Sequence, residues 1–305
     1  MEQILFRSAS FIAILILGYL LKRSGYLGQK DYQILAKVVL GVTLPAAVLT
    51  NFASYTLDVS LLLCVPVGFA LNWVQLLAGS LLSRKRPLPE RAVWVNCVPS
   101  YNIGTFSLPF VQSFLSPAAV VGCCLFDAGN ALMCNGGTYA LTCQFLNPTD
   151  RFRLKDLLRK LVTSIPFMAY LIMLVITLVG IRIPTPVVDF VSPIAGANPF
   201  MAMFMLGTMF DIRLNRSQFK QIAGMLAVRL LIAVVAALVC YFLLPLPLQV
   251  RQALTLVVFA PVSITSTTLS QRAGGDPALA ACLNSFTIPI SICCTVGLLT
   301  VFGTI

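Results

Sequence analysis

The chain contains no histidine, and charge is scarce: 10% of its 305 residues are Asp, Glu, Lys or Arg, against about 25% in ordinary soluble domains. Without histidine, a mixed Cys/His zinc site and a Ser/His/Asp triad are excluded. There is no GxxxxGK[ST], no GxGxxG and no HExxH, which removes the common nucleotide, dinucleotide and zinc-protease signatures. Ten cysteines are present, but none is spaced as CxxC. Cys64, Cys97, Cys123, Cys124, Cys134, Cys143, Cys240, Cys282, Cys293 and Cys294 lie in or at the ends of apolar runs. Free cysteine there behaves as a small apolar residue. The expectation is no disulfide framework, no metal and no cofactor, and no catalytic residues.

What fills the chain instead is apolar sequence, 58% of all residues. Those proportions exclude a soluble globular enzyme and a disordered chain, and they imply a polytopic membrane protein. Apolar runs and their polar breaks predict ten spans near 4–21, 34–54, 59–82, 91–115, 117–143, 158–181, 186–210, 219–244, 249–271 and 277–303. Ten helices of about 20 residues leave no loop long enough for a separate soluble domain. The first run contains Arg7 and is followed by Lys22-Arg23 rather than a small-residue cleavage site. It is read as a retained helix, not a signal peptide.

The net charge of +11 would suggest nucleic acid in a soluble protein, but here the cations sit in short clusters between spans. Seventeen of the 21 basic residues fall on odd-numbered connections: Lys22, Arg23, Lys30 and Lys37; Arg84, Lys85, Arg86 and Arg91; Arg151, Arg153, Lys155, Arg159 and Lys160; Arg213, Arg216 and Lys220; and Arg272. Arg7, Arg182 and Arg251 fall on the other side, and Arg229 lies inside span 8. By the positive-inside rule the odd connections are cytoplasmic and both termini lie outside. No nucleic-acid partner is expected. The expected location is the plasma membrane, as in a bacterial inner membrane, with the basic 5–6 connection beside anionic headgroups.

An internal repeat agrees with that topology. Arg91 and Arg251 open spans 4 and 9, and Ser116-Pro117 and Asp276-Pro277 open spans 5 and 10; both pairs are 160 positions apart. Residues 1–150 and 151–305 are therefore read as two five-helix copies. Five is odd, so the second copy enters the membrane from the opposite side, giving an inverted repeat.

Span 4 carries Asn96, Pro99, Ser100, Tyr101, Asn102, Gly104, Ser107 and Pro109. Proline removes a backbone donor and crowds the preceding turn. Freed backbone groups are costly in hydrocarbon, so such a segment either packs as a kinked helix against protein or breaks beside a cavity. Span 9 repeats the theme: Pro261 is followed by Ser263, Thr265, Ser266, Thr267 and Thr268. Those hydroxyls either bond back to their own helix or line a second break. Two broken helices crossing mid-membrane would bring half-helix N-termini together, and these attract an anion, most simply a carboxylate.

Thr43-Leu44-Pro45 in span 2 and Asn198-Pro199 in span 7 are read as kinks or as hinges flanking that site. Asp127 sits mid-span 5, with Asn130 one turn further on the same face. Intramembrane charges are functional by default. Asp127 is the candidate for carrying a proton, the competing reading being an ion pair with Arg229; snorkelling of Arg229 to the surface is the third. Asn130 and Asn135 are candidates for holding a carboxylate or for joining helices. Asn72 and Gln75 in span 3 share a face and are read as supporting helix–helix hydrogen bonds.

These motifs together resemble the auxin efflux carrier family. Gly18 to Leu27 followed by Val42-Thr-Leu-Pro-Ala-Ala-Val48 is similar to that family's opening. Tyr101-Asn102-Ile-Gly104 through Leu108-Pro109 resembles its asparagine-glycine-leucine-proline stretch. Ala260-Pro261, Leu269-Ser-Gln271 and Gly274-Gly275-Asp276-Pro277 resemble its second-half signature. The resemblance to these PIN-like and bacterial malate–malonate-type carriers implies ten helices in two inverted repeats, with crossed, broken helices 4 and 9 and a scaffold-plus-transport-domain arrangement. It further implies transport of a small organic anion such as malate, malonate or an auxin-like acid. It carries the crossover prolines onto Pro99 and Pro261 and the substrate asparagines onto Asn102 and Asn130, and homodimers occur in that family. About 14 residues join spans 5 and 6, so the long regulatory loop of plant members is missing and a bacterial-type member is favoured. Phe259 stands at the 160-residue partner position of Pro99, a local offset of the crossover.

The expected function is secondary active transport by rocking or elevator-like alternating access, with possible proton or sodium coupling. The substrate site is expected at Pro99, Ser100, Tyr101, Asn102, Asn130, Pro261, Ser263 and Thr265. The alternatives are a sodium-coupled symporter like the bile-acid carriers and a membrane sensor that binds the ligand without moving it.

Overall fold

A computed structural model describes residues 2–56, 58–146, 154–210 and 218–303. Helices are the only regular elements among them. In chain order they are α1 (Glu2–Arg23), α2 (Tyr32–Val38), α3 (Leu44–Ala53), α4 (Cys64–Leu82), α5 (Leu88–Cys97), α6 (Leu108–Phe114), α7 (Pro117–Leu132), α8 (Thr138–Leu146), α9 (Leu154–Thr163), α10 (Ile165–Leu178), α11 (Thr185–Gly196), α12 (Asn198–Met209), α13 (Phe219–Phe242), α14 (Leu248–Val257), α15 (Ile264–Arg272) and α16 (Pro277–Phe302).

Several of these join into longer rods. Wide π-helical turns at Val39–Thr43, Ile103–Ser107 and Met133–Gly137 link α2 to α3, lead into α6, and link α7 to α8. Among the described residues, seven helical stretches are long and apolar enough to cross a bilayer: Ile4–Arg23, Tyr32–Ala53, Val59–Leu82, Pro117–Cys143, Thr185–Met209, Phe219–Phe242 and Pro277–Phe302. The pair Lys155–Thr163 and Ile165–Leu178, bent by 77° at Ser164, makes an eighth if it is one span. Two further apolar segments, Leu88–Phe114 and Leu248–Arg272, are helical at both ends but interrupted, at 98–102 and 258–263.

Proline sets many of these boundaries. It stands in the first turn of α3, α5, α6, α7, α10, α11, α12 and α16, where its missing N–H costs nothing and its φ is already helical. At α16 the start is fully specified by Gly274-Gly275-Asp276-Pro277. Gly274 adopts φ +83°, open to glycine at no steric cost. Asp276 Oδ1 then accepts from the amides of Ala278 and Leu279 at 2.8 and 3.1 Å, a side-chain N-cap.

The helices pack into two groups. One holds α1, α2–α3, α10 and α11–α12; the other holds α4, α5, α6, α7–α8 and α13 to α16. Glycines let the backbones meet. Gly18 lies against Phe204 O and Gly207 against Leu15 O, joining α1 to α12; Gly68 lies against Phe126 O and Gly129 against Val65 O, joining α4 to α7. Small residues at such contacts are the means by which helices associate where lipid gives no hydrophobic drive. Many large apolar side chains, including Phe6, Ile16, Val175, Leu231, Leu238 and Val301, point outward, as a lipid-facing surface requires.

Candidate functional site

The two interruptions meet. The amide of Asn102 donates to Pro261 O at 2.9 Å, and the amide of Ser263 donates to Ser100 Oγ at 3.3 Å. α5 ends at Cys97, two residues before Pro99, as proline's clash with the preceding residues demands. α14 ends at Val257, and Pro261 lies in the gap before α15. Neighbouring helices satisfy part of the freed backbone. From α16, Thr287 Oγ1 accepts from the Val262 amide at 3.1 Å, and Asn284 Nδ2 donates to Val262 O at 2.9 Å.

Arg229 satisfies much of the rest. Its guanidinium donates to Cys97 O at 3.0 Å, Val98 O, Ser100 O at 2.9 Å and Ala260 O at 2.9 Å. These are the carbonyl ends of α5 and α14, or the residues just past them. Helix C-termini carry partial negative charge, so a fixed cation here neutralises both. The ring of Tyr101 also faces the guanidinium, 5.9 Å from its centre. This corrects two readings of the sequence: Arg229 neither pairs with Asp127 nor reaches the membrane surface, because it is 6% exposed. Four backbone acceptors at one point require a forked donor, which only arginine supplies.

The opposite ends of the broken helices face a cavity of about 330 Å³ between the two helix groups. One wall is Tyr101 to Thr105, Asp127, Asn130, Cys134, Asn135, Ser263, Ile264 and Thr265; the other is Tyr32, Gln33, Ala36, Leu40, Ser164, Pro166, Phe167 and Tyr170. The first turns after both breaks therefore border it, and their leading amides lack intrahelical acceptors. The charges are thus sorted: carbonyl ends toward Arg229, amide ends toward the cavity.

Individual side chains follow suit. Asn102 Oδ1 accepts from Thr105 Oγ1 at 2.5 Å, which fixes the amide plane; Asn102 Nδ2 makes no hydrogen bond to the described residues and borders the cavity. Asn130 is different. Its Nδ2 donates to Tyr101 O at 3.0 Å and Asp127 Oδ1 at 2.9 Å, and its Oδ1 accepts from Asn72 Nδ2 at 3.2 Å and Cys134 Sγ at 3.0 Å. An amide has two donors and two acceptor lone pairs, so Asn130 is saturated and serves to hold the break rather than to offer a free donor. Asp127 is half-buried and accepts from Asn130 and, at 2.9 Å, from the Tyr170 hydroxyl.

Of the other sequence candidates, Ser263 and Thr265 border the cavity, whereas Pro99, Ser100 and Pro261 sit behind it in the crossing. Asn72 buttresses Asn130. Asn96 donates to Thr142 Oγ1 at 3.0 Å, away from the cavity. Both amide atoms of Gln75 are buried without partners; the structure offers no physical account of that. Thr43 and Asn198, in the two proline-bearing spans, meet at 3.0 Å, and Asn198 Nδ2 donates to Gln112 Oε1 at 3.1 Å. Sequence reasoning missed Tyr170, Gln112 and the α16 pair Asn284 and Thr287. Tyr170 is one of two hydroxyl residues, with Thr177, in an otherwise apolar run, which was the available signal.

A second, smaller cavity of about 250 Å³ adjoins the first, sharing Asn135, Ser164 and Thr265, and its mouth carries Lys160 and Arg272. No acidic residue lines it. Among the described residues no cluster of three or more Cys, Asp or Glu could hold a metal ion.

Comparison with known proteins points to membrane transport. Residues 4–149 match the family described as membrane transport protein. The chain is also 26% identical over 242 residues to an uncharacterized transporter of Methanothermobacter thermautotrophicus, an alignment covering 77% of each protein. The first half of the chain is therefore similar to a membrane transport family, and with its long apolar helices the chain is an integral membrane protein.

Proposed function

We propose that the chain is a secondary active transporter of a small organic anion, working by alternating access. The observation that carries this is the sorting of the four half-helix ends at the crossing. Two amide ends, the free Asn102 Nδ2 and the hydroxyls of Ser263 and Thr265 border one cavity, and that set suits a carboxylate. Lys160 and Arg272 at the adjoining mouth would attract the same charge. No nucleotide-binding signature is present, so the energy comes from a gradient.

The ten-span, inverted-repeat reading fits the two interrupted segments and the 160-residue spacing. On it, α1, α2–α3, α10 and α11–α12 form the scaffold, and the group carrying both breaks moves against it. The adjoining cavity is lined by Lys160 and Arg272, cations the positive-inside rule assigns to the cytoplasmic side, which fits an inward-facing state. Asp127, lying between the groups, is the proton carrier. Sodium coupling at the crossing is disfavoured, because Arg229 already occupies the carbonyl ends that would hold a cation.

The test is carboxylate counterflow in proteoliposomes. Asn102→Ala should abolish exchange while the purified variant keeps its melting temperature. Exchange at the wild-type rate would reject the site. Binding of a carboxylate by the wild type without any counterflow would favour a ligand sensor instead.

A further inference from the structure

The basic residues between α4 and α5 are not equivalent. Arg86 is neutralised by Glu90 at 3.4 Å and lies over the Trp94 ring at 5.1 Å. Arg84 and Arg91 have no ion pair among the described residues. The Arg91 Nε is buried and has no hydrogen-bond partner among the described residues. Both arginines border a cavity of about 290 Å³ on the outer side of α4, α5 and α8, whose remaining walls include Trp73, Leu76, Leu77 and Leu141. It is separate from the central cavity and shares no residue with it. An apolar slot ending at two unneutralised cations, at the level where α4 leaves and α5 enters the membrane, is an amphiphile's shape in negative.

We propose that this groove binds one anionic phospholipid, its phosphodiester on Arg84 and Arg91 and an acyl chain along Trp73, Leu77 and Leu141. Charge complementarity selects the headgroup. A free cation near the bilayer surface attracts anionic lipid, and a basic pocket between membrane helices on that side holds such headgroups. The guanidinium groups of Arg84 and Arg91 offer charge-assisted donors to phosphate oxygens. The apolar wall distinguishes a lipid from a free phosphate, since only the lipid brings a chain to fill the slot. The proposal does not depend on what the central cavity transports.

Native mass spectrometry of protein released from nanodiscs of equimolar phosphatidylglycerol and phosphatidylcholine tests it. The wild type should retain phosphatidylglycerol preferentially, and inorganic phosphate should not displace it. Arg84→Ala with Arg91→Ala should lower the preference about tenfold or more, while Arg86→Ala leaves it unchanged. Leu77→Trp, which fills the slot and keeps both cations, should also lose the lipid; it separates lipid loss from misfolding if the double variant melts early. Equal retention of both lipids by the wild type, displacement by phosphate, or an unchanged preference in the double variant or in Leu77→Trp would overturn the assignment.

Discussion

Tyr170 donates its hydroxyl to Asp127 Oδ2 at 2.9 Å, and this bond joins the two helix groups across the central cavity. Tyr170 belongs to α10 and Asp127 to α7. Gly104 lies beside the junction; a Cβ there would touch the Tyr170 hydroxyl and Asp127 Oδ2 at ordinary contact distances, 3.5 and 3.7 Å, but would crowd Leu44 Cδ1 at 2.9 Å. A relative movement of the groups must break the bond, and protonation of Asp127 changes what it can accept. On the proposed mechanism, the pair lies where proton binding and motion meet.

Asp127→Asn should keep the fold, because an amide oxygen still accepts from Tyr170. It should flatten the pH dependence of uptake in proteoliposomes under an imposed proton gradient. A pH profile parallel to the wild type would exclude Asp127 as the proton carrier.

Tyr170→Phe keeps the ring in its buried position and removes one hydrogen bond to a charged acceptor, worth about 1.5–3 kcal/mol. The expected result is a lower melting temperature in detergent together with altered uptake kinetics. No change in either would mean that the junction contributes nothing to the resting state.

Arg229→Ala leaves the Ser100 and Ala260 carbonyls without a donor, while Cys97 O keeps the Ser100 hydroxyl and Val98 O keeps the Ser100 amide. Each such group costs about 1–3 kcal/mol, so the variant should express poorly or melt far below the wild type. Arg229→Lys restores the charge but not the fork, and should recover only part of the stability. Wild-type melting in Arg229→Ala would show that the crossing does not need its cation.

The same residue predicts independence from sodium. Uptake measured with sodium replaced by potassium at fixed pH should be unchanged. A rate that rises with sodium would require a cation site outside the carbonyl ends held by Arg229.

Much of this architecture was legible because its causes are local. Pro99 and Pro261 mark interruptions through what proline does to its own backbone, and the Gly274-to-Pro277 run spells out a turn and a cap. What was hidden depends on long-range contact. Arg229 looked like a partner for Asp127 because both are isolated charges, yet its acceptors are carbonyls, which no side-chain pattern advertises. Asn130 read equally as a substrate ligand or as a joint between helices; its four bonds run to Tyr101, Asp127, Asn72 and Cys134, two of which lie on distant segments of the chain. Gln112 and Asn198 are 86 positions apart, so their meeting has no sequence signal.

Gly129→Ala tests the packing that carries the crossing. A Cβ there would collide with the Val65 carbonyl oxygen, a backbone atom that cannot step aside as a side chain would. Forcing α4 and α7 apart should cost about 1–3 kcal/mol, read as a lower melting temperature. Gly297→Ala, with open space around its Cβ position, should be neutral and serves as the control.

A structure of the protein with a transported carboxylate bound tests the central claim most directly. The account predicts carboxylate oxygens within hydrogen-bonding distance of Asn102 Nδ2 and the leading amides of α15, with Arg229 still on its carbonyls behind the crossing. A carboxylate lodged elsewhere, or residues 98–102 and 258–263 running as unbroken helix, would contradict it.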